Sequence, residues 1–336
     1  MTVLVTGGWG FIGRHLARAL AGRGDRVVVF DAAAPDAEEA ARVLGRGITV
    51  VSGDITQPDA VRDVMRDSRA DSVIHAAAVV GVASTARDPR QAAEVNILGA
   101  LSVFEAASEL GIRRLVDLSS EEVYGHFAAD PVTEETPGDP VSPYGISKRA
   151  VEQLGRYYAE QRGLGYVAAR LCWVYGPEFP RERLPLTWLA DVAGGRTSSL
   201  ESGGDQRIDF TYVSDAVRGV LAVLDAPALR GRAYHVATGT STSVRELAQV
   251  MRGLWPDWSV QLGDGPLRLA PGVNAATKGA LSVKKAEADL GYRPAVPLSE
   301  GLRRTYDWVS RTQGAAVRPG EASRSGAPRA GGPRRP

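Results

Sequence analysis

Thr6-Gly7-Gly8-Trp9-Gly10-Phe11-Ile12-Gly13 decides the fold. It follows an apolar run at 3–5 and opens a helical pattern at 12–21, the strand, turn and helix setting that a dinucleotide-binding turn requires. Glycines at 7, 10 and 13 permit a tight turn, close backbone approach to a pyrophosphate and close packing of helix on strand. Free amides and the dipole at the helix start favour the anion. Working outward, β-branched runs at 27–30, 48–51, 72–74, 115–118 and 166–170 alternate with helical patterns at 36–44, 59–65, 89–109 and 144–161. Strands feeding crossover helices predict a doubly wound parallel α/β sheet of the Rossmann type.

After about residue 171 the texture changes to prolines (177, 180, 185, 256), paired glycines and shorter periodic segments. This predicts a dinucleotide-binding domain over 1–170 and a smaller C-terminal substrate-binding lobe over 171–312. The apolar run 234–237 is expected to return to the first sheet, so that the first domain is rejoined by about 209–240. Residues 313–336 read as a disordered basic tail; from Gly314 onward they hold five Arg against one Glu.

The chain has 336 residues, 44% hydrophobic and 24% charged, which excludes a peptide scaffold or a disordered chain. Its net charge is +1, and −3 without the tail, so the body carries no electrostatic footprint for nucleic acid. The single cysteine, Cys172, excludes an internal disulfide and a thiolate metal cage, and the four histidines show no ligand spacing, so no metal is expected. With no signal-peptide pattern and no run of about 18 apolar residues, the expectation is a cytoplasmic protein without a membrane partner.

Asp31 ends the second strand, where a carboxylate accepts both hydroxyls of an adenosine ribose and repels a 2′-phosphate; no Arg follows it in 32–34. The turn and this acid together favour NAD over NADP. Asp54 either contacts adenine or is an ordinary turn residue. Tyr144 and Lys148 stand one turn apart on a helix starting after Pro143. A phenol is a poor base at neutral pH, but an adjacent ammonium and an oxidised nicotinamide stabilise the phenolate, which then takes a proton from a substrate hydroxyl. The chain holds only four lysines against 36 arginines, so a lysine at this spacing is not readily surface decoration.

These residues, with the Gly53-Asp54-Ile55 segment, His75-Ala76-Ala77-Ala78, Asn96, the run 119–125, Tyr144 to Lys148 and the run 174–177, resemble an extended short-chain dehydrogenase/reductase of the NAD-dependent sugar epimerase/dehydratase family over about residues 1–310. The resemblance implies NAD held in the N-terminal lobe by Gly7, Gly10, Phe11, Ile12, Gly13, Asp31, Asp54, Ile55, Ala76, Ala77, Asn96, Tyr144 and Lys148. It implies a sugar or nucleotide sugar held by the C-terminal lobe, and a homodimer through the long helices near 89–109 and 144–161. It makes Ser120 the hydroxyl that bonds the reacting oxygen, Tyr144 the acid/base and Lys148 the residue holding the nicotinamide ribose. In the family's sugar 4,6-dehydratases an Asp and a Glu follow this hydroxyl, as acid and base. Decarboxylases usually keep the second acid and plain 4-epimerases keep neither. Here both positions are Glu, Glu121 and Glu122, which leans towards water elimination unless the pair caps the loop or bonds substrate without proton transfer.

The chain departs from the family where a sugar diphosphate is held. Trp173 stands where Asn is usual, Ile208 separates Arg207 from Asp209-Phe210, and the late segment reads Arg268-Leu269-Ala270-Pro271-Gly272. Arg181, Arg183, Arg207, Arg268 and Lys278 are candidates for a phosphate clamp or for surface charge. Trp173 either stacks on a sugar or base or packs in the core, and residues 79–83 stay apolar until Ser84, a candidate substrate contact. The expected activity is epimerisation or dehydration through a transient ketone with NAD recycled. The alternative is an NAD-dependent dehydrogenase of a non-nucleotide sugar or cyclitol that releases NADH.

Overall fold

A computed structural model describes residues 1–179 and 183–316, with side chains as far as Thr312. Its first lobe contains the strands β1 (Thr2–Thr6), β2 (Arg26–Asp31), β3 (Ile48–Ser52), β4 (Ser72–His75), β5 (Arg114–Ser120) and β6 (Tyr166–Leu171). Between them run α1 (Phe11–Gly22), α2 (Ala37–Leu44), α3 (Pro58–Ser68), α4 (Val82–Arg87), α5 (Pro89–Ala93), α6 (Gly99–Glu109) and α7 (Pro143–Arg162). The strand Ala233–Val236 joins β6, giving a seven-stranded parallel sheet of order β3-β2-β1-β4-β5-β6 and then 233–236.

Side-chain alternation builds two cores from this one sheet. Val3, Val5, Val27, Val29, Val116 and Val167 pack on one face, against α1 and the helix Val213–Asp225. Leu4, Val28, Phe30, Leu115 and Tyr166 pack on the other, against α3, α6 and α7. Each strand is therefore apolar on both faces, as a covered parallel sheet demands. The 89–109 pattern is one helical run broken by a π turn at Glu94–Leu98.

After β6 the described residues form two-stranded pairs and, besides Val213–Asp225, four helices; the apolar faces of this part, including Trp188, Leu247, Met251 and Leu302, continue the first core. The last helix, Leu298–Ala316, passes residue 312, so the backbone stays helical into the first residues assigned to the tail. Residues 317–336 and Arg181 lie outside the described residues. Among the described residues no helix is long and apolar enough to cross a membrane, and no His, Cys, Asp or Glu cluster could hold a metal ion.

Strand order reverses between β1 and β4, and a cleft opens there at the carboxyl ends of the strands. The floor beneath it is polar and tied. Arg170 of β6 grips Glu152 of α7 with both ends of its guanidinium at 2.8 and 2.7 Å, and Ser119 of β5 donates to the same carboxylate at 2.6 Å. Burial works against the charged carboxylate, yet Arg170 and Ser119 bring Glu152 below the ordinary range, so α7 is locked to both strands.

Candidate active site

The cleft encloses about 640 Å³ and starts at the glycine turn. Gly7 has φ +67°, and a Cβ there would lie 2.4 Å from the Ala77 nitrogen; one at Gly13 would lie 2.3 Å from the Gly7 oxygen. Only glycine lets β1, α1 and the loop after β4 close to this distance. Gly10 precedes α1 and brings no side chain to its first-turn amides, and Gly10, Phe11, Ile12 and Gly13 all line the cleft. Asp31 lines it too, while accepting the Trp9 amide at 3.0 Å and the Ala33 amide at 2.9 Å. It is thus both the loop organiser and a carboxylate turned to the cleft. Asp54 is exposed and accepts the Thr56 amide at 2.9 Å, beside Ile55, Ala76 and Ala77 in the cleft wall.

At the other end Ser120, Glu121, Glu122 and Tyr144 converge. Ser120 closes β5 and caps the short helical turn Glu121–Tyr124, its Oγ accepting the Glu122 amide at 3.2 Å. Ser142 caps α7 by accepting the Gly145 amide at 3.1 Å, which fixes where the Tyr144 phenol starts. The Tyr144 hydroxyl makes no hydrogen bond to any described residue. Lys148 follows one turn later, buried, with Nζ donating to the Leu118 oxygen at 2.6 Å.

The two glutamates have different surroundings. Glu121 is buried and accepts from the Cys172 thiol at 2.8 Å. Burial pushes its carboxyl up to about 7, opposed by the Lys278 ammonium and reinforced by the Glu122 carboxylate. Glu122 is ion-paired with Lys278 at 3.4 Å.

Other expected residues fall outside the cleft wall. Asn96 is buried in the π turn, where its amide clamps the Val79 peptide at 2.7 and 3.0 Å and donates to Ser147 at 3.0 Å. It fixes the loop after β4 against α7. Ser84 is exposed on α4. Arg207 donates to Ser241 Oγ at 2.8 Å and to the Ser241 oxygen at 2.6 Å, tethered beside Glu246. Arg268 pairs with Glu201 at 3.7 Å, and Lys278 with Glu122, so of the described clamp candidates only Arg183 reaches the cleft. Its guanidinium lies 4.0 Å over the Trp173 ring, which lines the cleft while its indole N–H donates to the Leu184 oxygen at 2.8 Å.

Sequence reading missed Cys172 as a neighbour of Glu121. It also missed Asp209, wholly buried, which accepts the amides of Thr238 and Gly239 and thereby shapes the loop beside the site. Burial raises the Asp209 carboxyl to about 6 in spite of these bonds.

A doubly wound sheet whose switch point presents uncapped amides, an acid at the end of β2, a hydroxyl and a phenol, with a buried ammonium one helical turn beyond the phenol, defines a dinucleotide-dependent oxidoreductase of the short-chain type. Residues 3–237 match the NAD-dependent epimerase/dehydratase family, and the chain belongs to it. Its cofactor is NAD, which the glycine cradle, the uncapped amides and Asp31 fit. The chain is 30% identical to a UDP-glucose 4-epimerase of Erwinia amylovora, over 93% of this chain and 98% of that one. It is 31% identical to a dTDP-glucose 4,6-dehydratase of Streptomyces niveus, over 92% of each. The solved UDP-glucose 4-epimerase of Thermotoga maritima with UDP-glucose superposes with a TM-score of 0.84 at 28% identity, covering 93% of this chain and all of that one. Epimerase and dehydratase stand within one percentage point of each other in identity, so the choice between them rests on the site.

Proposed function

We propose that the protein dehydrates a nucleotide-activated sugar through a transient ketone. The observation that carries this is the adjacent pair Glu121 and Glu122, both in the cleft wall beside Ser120 and Tyr144 and held in unlike surroundings. Gly7, Gly10, Phe11, Ile12, Gly13 and Asp31 would hold NAD, with Asp54, Ile55, Ala76 and Ala77 lining its adenine and ribose side. When bound, NAD supplies an acceptor that takes a hydride from the sugar and returns it.

Tyr144 takes the proton of the sugar hydroxyl, Lys148 favours the phenolate, and Ser120, whose Oγ accepts the Glu122 amide, donates a hydrogen bond to the reacting oxygen. The ketone acidifies the neighbouring C–H. Glu122 removes that proton, and Glu121 protonates the departing hydroxyl as water. Burial raises the Glu121 carboxyl, which suits an acid, and the ion pair with Lys278 places Glu122 for the base. The names of the relatives support a nucleotide sugar as substrate, with Arg183 and Trp173 at the cleft to contact it.

The test is incubation with NAD and a panel of nucleotide-activated hexoses and uronic acids, following substrate mass and NADH absorbance together. Loss of one water without net NADH is expected. A same-mass isomer overturns elimination in favour of epimerisation. Accumulating NADH overturns it in favour of a net dehydrogenase, and no turnover by a protein shown to bind NAD overturns it in favour of a non-nucleotide sugar or cyclitol, the reading that the tethered Arg207 favours.

The active form we propose is a homodimer. Ile146 and Tyr157 lie about three turns apart on one face of α7, and with Leu98 at the start of the packed α6 they are each at least half exposed, at 52, 50 and 57%. Light scattering is expected to give a dimer, and Tyr157→Asp a monomer that still binds NAD. A monomeric wild-type protein refutes it.

A further inference from the structure

Lys278 comes from the C-terminal lobe, on a strap between the strand Val273–Asn274 and the helix Lys284–Leu290. Three backbone bonds lay this strap on the loop that follows Glu122: the Phe127 amide donates to the Thr277 oxygen at 2.9 Å, the Val132 amide to Ala280 at 3.1 Å, and the Ser282 amide to Val132 at 2.8 Å. Gly279 lets it pass the Asp130 carboxylate, which a Cβ would meet at 2.6 Å. The strap thus fixes where the ammonium falls. Lys278 is 8% exposed, its Nζ donates to the Gly125 oxygen at 3.1 Å and stands 3.4 Å from the Glu122 carboxylate, and Phe127 lies under it at 5.1 Å. It does not line the cleft, so it reaches substrate only through Glu122.

We infer that Lys278 is a positioning residue that makes the two adjacent glutamates unequal, fixing Glu122 as an ion-paired carboxylate and leaving Glu121 to carry the proton. This rests on the elimination reading for its catalytic meaning, though not for its electrostatics. Two neighbouring carboxylates in one poorly solvated site cannot both stay charged without a cation. Among the described residues the charged and titratable groups that act on Glu121 are Lys278 from the strap, Glu122 beside it, Cys172 just after β6 and Asp209 ahead of the strand Thr211–Tyr212, with the Tyr144 phenol of α7 in the same cleft wall. Lys278 is the only cation among them. A compact ammonium serves both Gly125 and Glu122, a geometry that a planar guanidinium matches poorly, in a chain that otherwise uses arginine almost throughout.

The test is an infrared titration of carboxyl stretches on the NAD-saturated full-length protein. Each protein is read as a difference from the same protein carrying Glu121→Gln and Glu122→Gln. In Lys278→Met the pair should hold its protons about one pH unit higher, roughly tenfold in proton affinity, and Lys278→Arg should move it back. On a dehydrated substrate the low-pH limb of kcat should shift up by the same amount with KM unchanged, so that the lost rate returns as pH rises. An unchanged titration in a folded Lys278→Met protein overturns the proposal even if water is eliminated. A shifted titration in a protein whose wild type eliminates no water sustains it and overturns the elimination reading alone. A kcat loss that no pH restores, with the titration unmoved, makes Lys278 a tie between lobes.

Discussion

Tyr144→Phe is expected to bind NAD as the wild type does and to turn over about 10³-fold more slowly, within the range that removal of a positioned proton-transfer group produces. The ring is 8% exposed and packs where Phe fits equally well. Its hydroxyl has no bond to a described residue, so its removal leaves no buried partner unsatisfied and stability should hardly change. What is lost on the proposed mechanism is a proton acceptor whose position is set from three sides. Ser142 starts the helix, Lys148 is anchored to the Leu118 oxygen one turn on, and Asn96 ties Ser147 to the Val79 peptide. Steady-state turnover with parallel NAD titration by protein fluorescence checks this. Turnover within about threefold of wild type would remove Tyr144 from proton transfer and assign that step to another group.

The phosphate cradle was legible because its chemistry is local. A turn that needs glycine at 7 and 13, directly after a strand and before a helix, announces itself in eight residues, and Tyr144 and Lys148 fall on one face of α7 because one helical turn separates them. Groups that only the fold brings together were not legible. Cys172 reaches Glu121 across 51 positions because β5 and β6 end side by side, and Lys278 reaches Glu122 from the other lobe. Arg207 looked available for phosphate because of its place before Asp209, yet its strand pairs with Thr242–Ser243 and carries the guanidinium to Ser241. Asn96 is a cofactor contact by the resemblance alone, and its place in the π turn with its amide on the Val79 peptide has no local sequence signal. One signal does point to Lys278: like Lys148 it is one of only four lysines in the chain.

Glu122→Gln and Glu121→Gln should separate the two halves of the reaction. With Gln at 122 the C–H proton has no acceptor, and water loss should fall by about 10²–10⁴. Sugar oxidation, which Tyr144 and Ser120 serve, should survive and show as a single-turnover rise in reduced-nicotinamide absorbance that persists. Gln at 121 removes the donor to the leaving hydroxyl. The pH dependence then distinguishes the two variants. Burial and the neighbouring Glu122 charge raise the Glu121 carboxyl to about 7, so its acid form is present below that pH and is lost above it. Wild-type elimination should therefore decline as pH rises through about 7, whereas Glu121→Gln should be slow and flat over the same interval. Rapid-quench mass analysis of product beside stopped-flow absorbance measures both halves. If either variant keeps wild-type water loss, that glutamate only caps the turn after β5. If both do, elimination must use groups other than this pair, and Lys278 would hold a carboxylate that the chemistry does not touch.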